Sequence, residues 1–394
     1  MDTIEKVESN IKQYIQEKFN FSSQDNISLK LIRMNSLSND IYHSIVTDTT
    51  TNEIIDEICY RNFGEIGDIV NRPLEESVIN SLGNQGIGPK IFSTDHKTYR
   101  IDEFIQNSSP IPHDALKTEA ILSQMIPVLV SYSEIAPIYR YSFSEDPNEK
   151  KINVEEFKEN IDAPVKTTQN IYDMCIKDMY KKGLSKLDKF IKDARMNNNT
   201  DKEFLMKLDS ISTFASHLTE IFDKAFPQSG FFSLNHNDTL RLNLLLKDEK
   251  ILIIDHEYGG LNLPGFDIVN YVVETNFDYS PSYEFYPNEI DLKAYYEIFV
   301  KFLNAFEKSE KHSYFVNSEE GKNEIKKYKS FEYFTNLVIL DNILWFVFAM
   351  IYFDYEKIVN GKGFNYFQHA FDRVTYYNAV KEFIGMEIED KVDI

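Results

Sequence analysis

The stretch FFSLNHNDTLRLNLLLKDEKILIIDHEYGG, Phe231 to Gly260, decides how the rest of the chain is read. It carries His236-Asn237-Asp238, then Asn243, then Asp255 at the end of an apolar run. The segments LNLLL and ILIID read as two short strands joined by the polar turn KDEK. Carboxylates set among such segments are costly to bury unless something compensates their charge. A metal ion and a phosphate would do so.

At 394 residues, with 42% apolar residues, the chain can bury a large core in two domains or lobes. Its 14 glycines and 12 prolines are too few for a low-complexity chain. The two cysteines, Cys59 and Cys175, are far apart and give neither a disulfide framework nor a zinc spacing, which fits a reducing, cytoplasmic setting. The first residues, MDTIEKVESNIKQYIQEKF, are charged and helix-patterned, unlike a signal peptide. A net charge of −21 argues against nucleic acid or an anionic membrane as main partner; it favours a cationic substrate only weakly, and acidic solubility without functional meaning is the better reading of charge alone. LVILDNILWFVFAMIYF, residues 337–353, holds Asp341 and Asn342 and falls short of the roughly 20 apolar residues of a membrane span. It reads as a core helix.

The first hundred residues alternate like a small sheet carrying helices. An amphipathic helix over 1–20 precedes strands at 27–34, 40–48 and 53–63. A helix at 72–86 has Pro near its first turn and Gly at its end, and a hairpin follows over 88–106. After NSSPIP the pattern turns helical; 145–205 reads as a charged, solvated insertion. The expected class is α+β, with a β-rich lobe over 1–106, a helical lobe over 107–394, and a ligand cleft between them.

His236-x-Asp238-x-x-x-x-Asn243 matches the kinase catalytic-loop spacing. In that frame the Asp accepts the proton of the attacking hydroxyl and the Asn holds magnesium. The hairpin then returns Asp255 toward Asn243, and Glu257 offers a second carboxylate at the same end. Taken singly, these residues could be turn or strand-end residues; three in frame around a hairpin favour chemistry.

HNDxxxxN followed by IDHEYGGLNLPGFDIVNYVVE resembles the choline/ethanolamine kinase family, with Ile254, Asp255, Glu257, Tyr258, Asn262, Phe266, Asp267, Ile268, Asn270 and Glu274 in frame. EICYRNFGE, LEESVINSLGNQGIGPKIF and IDEFIQ resemble first-lobe segments of the same family. Residues 145–225 match least. The resemblance implies a two-lobed, protein-kinase-like fold, ATP and Mg2+ as cofactors, a small amino-alcohol substrate, and a homodimer.

By the same resemblance Asp238 is the base, and Asn243 and Asp255 bind magnesium with Glu257 beside them. Arg61 takes the place of the ATP-binding lysine, with Glu76 as its helix partner. Backbone groups of Glu103 to Ile105 receive adenine. The phosphate loop keeps Ser38 and Asn39 but lacks the family's glycines, so a differently shaped loop is expected. Glu274, Tyr279, Trp345, Phe348 and Tyr366 would line the alcohol pocket beside Asp238, although an aromatic stripe at helical spacing also serves as core. Choline kinase is the leading reading. Ethanolamine kinase keeps the same catalytic groups, and a catalytically silent nucleotide-binding relative is a third reading, motivated by the absent glycines.

Overall fold

Val7, Ile11 and Ile15 recur at helical spacing and are buried, so the first helix, α1 (Ile4–Phe19), has one apolar face to cover. That face shares a core with Ile27, Val46, Ile58, Tyr60 and Ile101 of an antiparallel sheet. The sheet comprises β1 (Ile27–Met34), β2 (Asp40–Asp48), β3 (Ile54–Asn62), β4 (Ile91–Thr94) and β5 (Tyr99–Glu103), in the order β1-β2-β3-β5-β4. α2 (Arg72–Gln85) starts at Asn71, whose side chain accepts from the Leu74 amide. It ends at Gly86, whose φ of 71° supplies the left-handed stop. β1, β2, β3 and α2 follow the sequence pattern to within a residue, whereas the strands of the hairpin expected over 88–106 span only 91–94 and 99–103.

This computed structural model describes residues 4–389, apart from 22, 35–39, 64–69, 145–150, 159–161, 198 and 281. By its contacts the chain divides into two units, Met1–Ile111 with Leu242–Gly259, and Pro112–Arg241 with Gly260–Ile394. The hairpin after the HND loop therefore groups with the first unit, which a continuous division at 106/107 does not express.

In the second unit the strand Ser229–Asn235 lies between Gly260–Asn262 and Tyr139–Phe143. It delivers the chain to His236. Around it are helices, among them α3 (Phe266–Glu274), α4 (Phe331–Ile351) and α5 (Tyr366–Glu389). α4 begins six residues before the expected 337 and is long and apolar enough to cross a membrane, yet 83% of its most apolar window is buried within the protein. Residues 145–205 differ from the solvated insertion expected. They include the strand Ile152–Glu156, a π-helical turn over Asp173–Met179, and the helix Tyr180–Met196. Leu187, Phe190 and Ala194 of that helix are buried, and its charges occupy the other face. A strongly amphipathic helix has enough polar residues to look like a loop when only composition is weighed.

α3 carries three of the residues that matter below, and its start depends on Gly265. There φ is 86°, and a Cβ would lie 2.6 Å from the Phe299 ring. Gly265→Ala combines a left-handed alanine with overpacking and should lower unfolding free energy by about 1–3 kcal/mol. Thermal or denaturant unfolding reads this directly; an unchanged transition would show that Phe299 and the turn yield freely.

Candidate active site

The backbone around Asp238 is held by side chains of α3. The Asp267 carboxylate accepts from the amides of His236 and Asn237, each at 2.8 Å. The Asn270 carbonyl oxygen accepts from the Thr239 amide at 2.5 Å and from Thr239 Oγ1 at 2.8 Å. Asp267 and Asn270 are three apart and share a helix face, so one face grips the peptides on both sides of Asp238. Asn262 Nδ2 donates to Asn237 Oδ1 at 2.8 Å. Asn237 has φ 67°, a left-handed conformation that asparagine tolerates. Burial pushes the Asp267 carboxyl up to about 7, against the pull of the two amides. Sequence reasoning placed Asp267 and Asn270 in frame but gave neither a role.

In the first unit the hairpin is closed by Asp248 and Glu249, with φ of 47° and 60°. Two consecutive positive φ values give the turn whose twist matches its strands. Its register pairs Leu244 with Ile253, and the Ile254 amide donates to the Asn243 carbonyl at 2.9 Å. Asn243 and Asp255 are thereby fixed at the open end of one ladder. Asp255 itself is left-handed, φ 64° and ψ 63°, a conformation that costs energy and clusters at functional sites.

Arg61 NH1 donates to Asp255 Oδ1 at 2.8 Å. The expected Arg61–Glu76 pair is absent: Glu76 takes Thr94 Oγ1 at 3.0 Å and meets His96 Nδ1 at 2.6 Å. The more deeply buried helix carboxylate is its neighbour, Glu75, 1% exposed against 8% for Glu76. Glu75 accepts from Arg72 at 2.7 Å and from Arg100 at 2.9 Å. Burial opposes its charge, but Arg100, Arg61 and Arg72 hold its pKa below the usual value. Consecutive glutamates face different sides of a helix, and the sequence alone does not say which turns inward. Burial likewise opposes the charge on Arg61, yet Asp255, Glu75, Glu257 and Asp102 together raise its pKa. Glu257 lies 3.7 Å from Arg72.

Along the segment expected to receive adenine, the Glu103 amide donates to the Lys90 carbonyl at 2.8 Å, and the Ile105 carbonyl accepts from Ser108 at 2.7 Å. Phe104 stacks on His43 with centroids 3.6 Å apart. Ser38 and Asn39 lie outside the described residues. Among the described residues no three His, Cys, Asp or Glu side chains converge as a metal group. An amide and one or two carboxylates nonetheless fit magnesium, which keeps waters and takes phosphate oxygens.

The residues expected to bind the alcohol all belong to the second unit. Trp345 meets Phe348 edge-on at 5.2 Å, and Phe348 meets Tyr366 at 6.3 Å. Tyr352, which sequence reasoning missed, stacks on Tyr366 at 4.6 Å. Phe364, also missed, bridges Tyr366 at 4.8 Å and Tyr279 at 6.0 Å. Tyr279 donates to Glu274 Oε2 at 2.8 Å. The cluster is thus continuous from Trp345 to Glu274. Beneath it lies Arg373, fully buried, bonded to Glu274 and donating to Asp341 at 3.4 Å. Asp341 accepts from Asn270 at 2.7 Å, which links the cluster to the loop at Asp238.

One guanidinium serves two carboxylates, and the closer pair is with Glu274. Burial then pushes the Asp341 carboxyl up to about 7, against Arg373 and with Glu274, while Asn270 and the Trp345 indole pull it down. A folded pKa above the unfolded value means that the fold holds a proton the unfolded chain has released. Asp341's contribution to stability is therefore fully present below about pH 4 and is lost as pH rises through about 7. Asp341→Asn should show a smaller fall in melting temperature over that range than the wild type. Parallel pH profiles would mean that Asp341 stays ionised throughout.

The sequence matches the Choline/ethanolamine kinase family over residues 29–378. A choline/ethanolamine kinase of Rattus norvegicus is 25% identical over 183 residues, which span 44% of this chain and 43% of that protein. The chain thus covers less than half the length of that curated relative. Among solved structures, a choline kinase from Cryptosporidium parvum superposes with a TM-score of 0.61 at 20% identity, covering 98% of each chain. A Plasmodium vivax ethanolamine kinase superposes with a TM-score of 0.51 at 14% identity, covering 94% of this chain and 87% of that one. These identities speak for the fold alone, a protein-kinase-like one, β-rich first and mostly helical after. The family match runs through the first sheet, the clamped HND loop, the Asn243–Asp255 hairpin and most of the aromatic cluster, and the chain belongs to the choline/ethanolamine kinase family.

Proposed function

We propose that the protein transfers the γ-phosphoryl group of ATP to the hydroxyl of choline, giving phosphocholine for phosphatidylcholine synthesis in the cytoplasm. The observation that carries this reading is the continuous aromatic cluster from Trp345 to Tyr279, joined through Asp341 and Asn270 to the loop that holds Asp238. Asp238 accepts the hydroxyl proton as the alcohol oxygen bonds to the γ-phosphorus and the bond to ADP breaks. Asp267 and Asn270 hold the base in place, so its carboxylate need not reorganise during transfer. Asn243 and Asp255 would hold magnesium, which neutralises charge on the phosphates. On this reading Arg61 would turn from Asp255 to donate to a phosphate oxygen, an acceptor that guanidinium geometry suits.

A coupled ADP-release assay with choline, with ethanolamine and with no acceptor tests this reading. Turnover with choline is the expected result; turnover with ethanolamine alone would reassign the substrate, and none with either would leave a nucleotide-binding relative. Asp238→Ala should lower the rate by about 10²- to 10⁴-fold with the fold intact. Asn243→Ala and Asp255→Ala should each raise the magnesium requirement, so unchanged magnesium titrations would remove both from the metal site.

Trp345→Ala should raise the choline KM by about tenfold, the equivalent of 1.4 kcal/mol and within the range of one cation–π face. The ethanolamine KM should move less, because a primary ammonium also donates hydrogen bonds. Equal losses for both alcohols, or an unfolded variant, would assign Trp345 to the core instead.

A further inference from the structure

Glu274 was expected to be the counter-charge for the substrate's ammonium group. Its surroundings give it another occupation. Glu274 is 4% exposed, and both of its oxygens are taken, Oε1 by Arg373 and Oε2 by the Tyr279 hydroxyl at 2.8 Å. The same guanidinium nitrogen donates to the Tyr279 oxygen at 3.1 Å. Arg373 is wholly buried, faces Asp341 through its other terminal nitrogen, and lies over the Phe277 ring at 4.0 Å. A buried arginine that grips two carboxylates in fixed geometry holds both side chains and cancels charge at the same time.

We propose that Arg373 is a specificity-determining positioning residue. It withdraws the charge of Glu274 from the acceptor pocket and so leaves discrimination of the cationic head to the aromatic faces of Trp345, Phe348, Tyr352 and Tyr366. The proposal rests on the acceptor-site reading above and deepens it. A fully methylated ammonium has no N–H to donate and spreads its charge over a surface that matches aromatic rings. A primary ammonium needs acceptors, and both oxygens of Glu274 are already occupied. Neighbouring groups act the same way. His369, within 5.9 Å of Tyr279 by ring centroids, has its pKa pushed well below the usual value by burial and by Arg373, so it adds no charge. Through Asp341 and Asn270 the same arginine is tied to the Thr239 amide, so the pocket and the peptide after the base are set by one group.

Trp345 is the chain's single tryptophan, so its fluorescence reports on this pocket without turnover. The probes are tetramethylammonium chloride and methylammonium chloride, titrated into the whole protein. Wild type should bind tetramethylammonium the more tightly. Arg373→Met releases the charge of Glu274, and a carboxylate at ion-pair distance outweighs one aromatic face, so the ratio of the two affinities should fall by about tenfold or more. The paired variant Glu274→Gln with Arg373→Met removes both charges and should restore the ratio to within about threefold, well inside the tenfold that 1.4 kcal/mol represents. A merely structural arginine would leave the paired variant as damaged as the single one. An unchanged ratio in Arg373→Met, or a collapsed ratio in the paired variant, overturns the proposal. If Arg373→Met alone fails to fold, the paired variant decides by the same criterion. ADP release by the wild type is measured alongside. Its absence with both alcohols would sink the kinase reading, whereas ADP release with an unmoved ratio would sink only the role of Arg373.

Discussion

The backbone of the HND loop depends on one buried carboxylate, that of Asp267 in the first turn of α3. Asp267 accepts the amides of His236 and Asn237, two donors that would otherwise be buried without secondary structure to satisfy them. Anionic acceptors make the stronger hydrogen bonds, and the first turn of α3 is where a helix best tolerates negative charge. The loop can therefore leave its strand, pass through a left-handed Asn237 and present Asp238 without drifting. Asn270, one turn on, repeats the device at Thr239. Gly265 lets α3 start at the angle that points both side chains at the loop.

The two units each bury a cluster of charges, and the clusters are balanced differently. In the first, Arg61, Arg72 and Arg100 face Glu75, Asp102, Asp255 and Glu257. Carboxylates outnumber guanidiniums, and Asp255 is the most exposed of those whose side chains are quoted, at 25%. Such a group suits a site that a divalent ion completes. In the second, Arg373 faces Glu274 and Asp341, and burial favours a proton on Asp341. There the upward shift of Asp341 narrows the excess of carboxylate over guanidinium, and the acceptor pocket proposed above would have little spare charge with which to hold a small, hydrated cation.

Sequence patterns carry the parts of this molecule that are periodic or strictly spaced. Strands at 27–34 and 40–48 alternate visibly, and the interval from His236 to Asn243 is itself the signal. Glu75 and Arg373 were not legible in that way. Glu75 sits beside Glu76 in one helix, and only the rotation of α2 decides which carboxylate meets Arg100. Arg373 lies in a helix of mixed composition, about a hundred residues from its partner Glu274, and nothing local marks it as buried. The helix Tyr180–Met196 failed for a different reason: its lysines were counted, but their confinement to one face was not.

The aromatic cluster shows what a pattern can and cannot say. Trp345 and Phe348 share a face of α4, which their spacing predicts, but the same spacing occurs in any apolar helix. What would separate a pocket from a core here is the company the rings keep. Tyr279 brings a hydroxyl bonded to both Glu274 and Arg373, and Asp341, one turn before Trp345, is bonded to the residue that grips Thr239. A purely structural core would gain nothing from burying two carboxylates and an arginine, since well-packed apolar residues of similar volume are as stable or more so. Their retention beneath the rings is accounted for if the rings bind a cation that the charges must neither attract too strongly nor repel.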